Sequence, residues 1–121
     1  AAVLAGRPLE DIEDLRQAAR RIRRDWGCAV LVKGGHLRGL REAIDVYYDG
    51  REEWLLRAPF VRGVSTHGTG CTYAAAIAGY LALGCPLLAA VERAKRLITS
   101  AIANSRRIGR HQPLVPTPRR T

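Results

Sequence analysis

Apolar positions between residues 9 and 26 recur every three or four places, at Leu9, Ile12, Leu15, Ala19, Ile22 and Trp26. That period gathers them on one face of a helix. Pro8 and the acids Glu10, Asp11, Glu13 and Asp14 stand at its start, where unpaired N–H groups favour negative charge. Gly27 suits a C-cap. The pattern then changes. "CAVLV" (28–32) is a short, continuous apolar run, which predicts a buried strand of parallel type. "KGGH" (33–36) ends it. Residues 43–50 and 51–59 read as a hairpin that turns at Asp49-Gly50, a pair that favours a tight primed turn. A loop follows Pro59. Residues 70–83, mostly Ala, Ile, Leu and Tyr, predict a helix that closes on Gly84. Pro86 opens a second helix over 86–106, with Leu87, Ala90, Val91, Ala94, Leu97, Ile98, Ala101 and Ile102 on one stripe. "AAVLAG" (1–6) carries no strand or cap signal. The three prolines of the last segment predict an extended tail over 107–121.

Helix, strand, hairpin, helix, helix is an α/β order. Only one strand reads as central, and a parallel sheet needs neighbours to cover its edges. Residues 1–121 are therefore expected to form a single partial domain, the second half of something larger.

Composition narrows the class without naming a function. Apolar residues make up 47% of the chain, enough for a core, and no run approaches the ~20 residues of a membrane span. No secretory apolar segment follows Ala1. Three cysteines without framework spacing suit free thiols in a reducing, cytoplasmic compartment. The net charge of +9 invites a nucleic-acid reading, but its placement weakens it. Residues 91–121 hold eight basic residues against one acid, whereas the rest is nearly balanced. A basic end of this kind fits a solvated face better than a nucleic-acid module, since few aromatics accompany it.

The candidate chemistry lies in "THGTGC" (66–71). A helix that starts near Gly70 leaves its first N–H groups without intrahelical partners, and its dipole adds partial positive charge. Gly68 and Gly70 let the backbone bend and a ligand approach. Thr69 adds a hydroxyl. Together they form a cradle for an anion such as phosphate. The same field favours negative charge on sulfur, so Cys71 could take a proton from a substrate hydroxyl beside a bound phosphate. Taken alone, G-T-G-C fits tight packing better than catalysis. It is not a Walker A loop, since no Lys-Ser/Thr follows. No paired Cys or His spacing makes it a zinc site. Lys33 alters the balance. It ends the central strand, where open α/β sheets bind ligands, and two glycines follow it. A lysine, a helix-end cradle and a proton acceptor form much of what phosphoryl transfer needs. Lys33 by itself would fit an ordinary surface lysine.

"VLVKGGH", "DVYYDG", "THGTGCTYAAAIAGYLALG" and "AVERAKRLITSAI" together resemble the C-terminal half of the hydroxymethylpyrimidine/phosphomethylpyrimidine kinases, over residues 1 to about 106. The resemblance implies a ribokinase-like, three-layer αβα fold, of which this is the C-terminal half only. It implies ATP-dependent phosphoryl transfer to hydroxymethylpyrimidine or its monophosphate in thiamine biosynthesis, with ATP and Mg²⁺. Gly68, Thr69 and Gly70 then match the anion hole for the transferred phosphoryl group. Cys71 matches the base, and Lys33 the lysine that contacts ATP phosphates. Asp45 lies in the nucleotide-binding region with no contact assigned. The acidic residue that places Mg²⁺, and most of the pyrimidine pocket, would precede Ala1. The chain alone is expected to be inactive, its partner being the missing N-terminal half in the same or another chain, with a homodimer also open. Pyridoxal or pyridoxine kinase activity is a close alternative, since vitamin B6 kinases can share GTGC. A non-catalytic remnant or interaction fragment is a more distant one.

Overall fold

The computed structural model describes residues 1–34, 37, 41–60, 68–105, 110 and 113–114. It divides into two compact units, Ala1–Phe60 and Val61–Thr121.

The first unit opens with a short helix, α1 (Ala2–Ala5), which the sequence did not announce. Gly6 stops it in a left-handed conformation (φ 69°). The amphipathic helix α2 spans Ile12–Trp26. Asp11 is its N-cap, and a reciprocal capping box joins Asp11 and Asp14 through each other's backbone N–H. Asp14 also pairs with Arg7. Gly27 ends the helix at φ 70°, as expected.

Three strands follow: β1 (Val30–Lys33), β2 (Glu42–Tyr48) and β3 (Glu53–Pro59). They form one sheet in that order, with both pairings antiparallel. The parallel partner expected for β1 is not found among the described residues. The connection 34–41 to its neighbour is too short for a parallel crossover, which takes roughly a dozen residues or more. Cys28, expected within the buried strand, lies before it and is exposed.

The hairpin also differs in detail. Tyr48 pairs with Glu53, so the loop covers 49–52 and is not a two-residue turn at Asp49-Gly50. Asp49 is the cause. Its Oδ1 accepts the N–H of Arg51 (2.8 Å) and of Glu52 (2.7 Å), which closes a side-chain turn. Gly50 supplies the positive φ, 96°.

Helix α2 packs on one face of the sheet. Leu15, Ala19, Ile22, Val30, Val32 and Val46 form the core there, flanked by Leu9, Leu37 and Tyr48. Arg16 and Arg20 reach Glu53 of β3, and Arg20 also lies 5.4 Å from the Tyr48 ring centroid.

The second unit is a helical pair, α3 (Thr69–Ala82) and α4 (Leu87–Ala103), packed together. Ala90, Val91, Ala94, Ile98 and Ala101 of α4 are buried, as the stripe predicted, and so is Lys95. Leu87, the first helical residue, is exposed. Only Tyr73 of α3 is buried, although α3 contains no charged residue. Among the described residues no helix is long and apolar enough to cross a membrane. The expected tail over 107–121 falls almost wholly outside the described residues.

Candidate functional site

In the second unit, the stretch expected to cradle an anion lies at the start of α3. Gly68 is the N-cap, at φ 79° and ψ 9°. This is the left-handed region, which a residue with a Cβ enters only at a cost. The first intrahelical bond runs from the Thr72 N–H to the Gly68 carbonyl, at 2.9 Å. The N–H groups of Thr69, Gly70 and Cys71 precede it, so helix geometry gives them no intrahelical acceptor. Among the described residues no side chain caps this end, and no acid lies in the first turn. A carboxylate there would compete with any external anion for that position. Gly68 is exposed, and no described atom lies within 4 Å of where its Cβ would stand. Thr69 and Gly70 are half-buried, and Cys71 is exposed. The fold thus brings Gly68, Thr69, Gly70 and Cys71 together at one helix start. Residues 65–67 of the same stretch lie outside the described residues.

Lys33 belongs to the first unit. It is the exposed last residue of β1, but that strand, expected to be central, is an edge of the sheet among the described residues. The chain behind it is held tightly. The Gly34 N–H donates to Asp45 Oδ1 at 3.1 Å. The Gly34 carbonyl accepts the Leu37 N–H at 3.2 Å, which closes a turn. A Cβ on Gly34 would collide with the Ile44 carbonyl oxygen and stand 2.6 Å from Leu15 Cδ1. Gly34 therefore serves close approach. Gly35 and His36 of the same motif are outside the described residues.

Asp45 is the residue whose role the sequence left unassigned. It lies directly opposite Lys33 in the antiparallel register and is 3% exposed. The signal was available only through that register, which follows from β1 pairing with β2. The other two cysteines stand apart from α3's first turn in sequence. Cys85, at the helix junction as expected, accepts a contact from Arg93 Nη1 at 3.2 Å. Among the described residues no group of three or more His, Cys, Asp or Glu side chains could hold a metal ion.

Comparison with known proteins gives this arrangement its family. The family profile described as phosphomethylpyrimidine kinase matches residues 1–115. The thiamine biosynthesis bifunctional protein ThiED of Geobacter sulfurreducens is 46% identical over 92% of this chain and 23% of its own length. The hydroxymethylpyrimidine/phosphomethylpyrimidine kinase of Synechococcus elongatus is 43% identical over 93% of this chain and 43% of its own. Among solved structures, an ADP complex of Bacillus subtilis pyridoxal kinase superposes with a TM-score of 0.89 at 32% identity, covering 95% of this chain and 45% of that one. The chain therefore spans less than half the length of these relatives. Its α/β architecture is that of the ribokinase-like kinases. By this match over nearly its whole length, the chain belongs to the phosphomethylpyrimidine kinase family.

Proposed function

We propose that these residues supply the phosphate-handling half of a kinase that transfers a phosphoryl group from ATP to hydroxymethylpyrimidine or its monophosphate in thiamine biosynthesis. The carrying observation is the start of α3: a left-handed Gly68 opens a helix whose first turn has no acid and no side-chain cap. That end presents donors and positive dipole to an anion. The N–H groups of Gly68, Thr69 and Gly70 face the charge that develops on the transferred phosphoryl group. Cys71 Sγ takes the proton of the substrate hydroxymethyl group as its oxygen bonds to phosphorus and ADP departs. Lys33 neutralises phosphate charge on ATP. Mg²⁺ would screen further phosphate charge, and it commonly takes only one or two protein carboxylates. The described residues offer no ready cage for it, so no step here depends on its protein ligands.

The pyrimidine pocket belongs, in this reading, to the part of the relatives that extends beyond this chain. Residues 1–121 then act as one partial domain, inactive without that part. Pyridoxal phosphorylation is the second reading, favoured by the close superposition on the Bacillus subtilis pyridoxal kinase.

The experiment is to offer a full-length kinase carrying these residues ATP with hydroxymethylpyrimidine, its monophosphate or pyridoxal, and to weigh the products by mass. Phosphorylated pyrimidine is expected. Phosphorylated pyridoxal alone would favour the second reading, and no product from any would defeat both. In the same enzyme Cys71→Ala is expected to lower turnover by ~10²–10⁴-fold, the span of general-base contributions, while ATP affinity stays nearly unchanged. Full turnover in that variant would remove Cys71 from the chemistry.

A further inference from the structure

Asp45 is a carboxylate at 3% exposure, in the middle of a sheet. Burying such a group is costly unless it is partnered. One partner is the Gly34 N–H, at 3.1 Å. Gly34 is the residue at which the chain leaves β1, directly after Lys33. It is fixed from three sides. Asp45 holds its N–H, the Leu37 N–H holds its carbonyl, and the Ile44 carbonyl oxygen and Leu15 fill the space a Cβ would take. Two of those restraints come from the adjacent β2 residues Ile44 and Asp45. The register adds to this. Lys33 and Asp45 are direct cross-strand partners, so their side chains leave the same face of the sheet. Lys33 is exposed there while Asp45 is not.

From this we infer that Asp45 is a positioning residue for Lys33, setting where the lysine meets the phosphates of a nucleoside triphosphate. The inference rests on the phosphate-contacting role proposed for Lys33. An ammonium group on a flexible four-carbon stem gains little from a strand end that frays. Anchoring the next amide to a buried carboxylate fixes the base of that stem. Binding that depends on such placement is sensitive to small displacements.

The test uses a full-length kinase that carries these residues, with Asp45→Ala, Asp45→Asn, Lys33→Ala and the Lys33/Asp45 double alanine variant. ATP affinity is measured by calorimetry, KM for each substrate by steady-state kinetics, and folding by thermal melting. The Gly34 amide is followed in [15N]glycine-labelled protein. Asp45→Ala is expected to shift the Gly34 amide and weaken ATP binding by about tenfold, with the KM of the alcohol substrate held within about twofold. Asp45→Asn, which keeps an acceptor oxygen, should recover most of the loss. The double variant should bind ATP no more weakly than Lys33→Ala, because the two act through one contact. A shifted Gly34 amide with unchanged ATP affinity would overturn the inference. So would a parallel rise in both KM values that tracks a fall in melting temperature, which marks a purely structural role; Asp45→Asn keeps that comparison open if the alanine variant does not fold. If Lys33→Ala itself binds ATP normally, the phosphate contact is wrong and the inference falls with it. That result is distinct from a failure at Asp45, since it is read in Lys33→Ala alone.

Discussion

Gly34 shows how much one absent side chain can fix. A methyl group there has no space, because a backbone oxygen of Ile44 and the side chain of Leu15 already occupy the ground. Leu15 is among the most fully buried residues in the molecule, so it has little freedom to withdraw. Overpacking of this kind typically costs about 1–3 kcal/mol. Gly34→Ala is therefore expected to lower stability by about 2 kcal/mol or more, read as a fall in the denaturation midpoint. A midpoint equal to wild type would mean that β2 gives way freely. The sequence shows two adjacent glycines after Lys33, which suggested an open path to a phosphate. The structure adds that the first of them is required by packing.

At the scale of elements, α2 is the best-marked helix. Its Asp14 carboxylate accepts the N–H of Glu10 (3.0 Å) and of Asp11 (3.4 Å) and pairs with Arg7. The Glu10 N–H is the largest influence, and with the Asp11 N–H and the Arg7 charge it holds the Asp14 carboxyl below its usual range against a smaller opposing effect of desolvation. A carboxylate depressed in the folded state stabilises that state above its unfolded pKa, and the benefit disappears as pH falls through the folded value. The start of α2 should thus loosen only below about pH 4, seen as lost helical ellipticity in an acid titration. Asp14→Asn should flatten that acid limb; an unaltered limb would mean that the box contributes nothing to it. This helix was legible because cap, period and terminal glycine all agreed. The four residues of α1 offered no such agreement, having no capping side chain and too few positions to show a period. The hairpin was legible in kind but not in loop length, since the bonds Asp49 makes to Arg51 and Glu52 leave no trace in an alternation of apolar and polar residues. Of the candidate site, the G-T-G-C helix start could be read directly. The anchor of Lys33 could not, because it depends on which strand pairs with β1.

For the molecule as a whole, α3 stands out among the described elements. A helix with no charged residue is ordinarily buried, yet α3 buries Tyr73 and leaves Leu81 at 42% and the adjoining Leu83 at 80% exposure. The relatives are more than twice as long as this chain. A 121-residue polypeptide on its own is expected to bind an environment-sensitive apolar dye more strongly, mole for mole, than a full-length kinase that contains it. Equal dye fluorescence would show that this surface is already covered.

The open space around Gly68 has a different consequence from the crowding around Gly34. At φ 79° and with no described atom within 4 Å of its missing Cβ, what Gly68 resists is handedness and not bulk. An L-alanine would be strained there in spite of ample room. Its mirror image, D-alanine, favours that very backbone. In a chain assembled by chemical ligation, a D-residue at position 68 would keep the helix entrance in place while withdrawing the freedom to leave it. The glycine at the mouth of the proposed phosphate cradle is thus a chiral requirement that the genetic code can meet only with its one achiral residue.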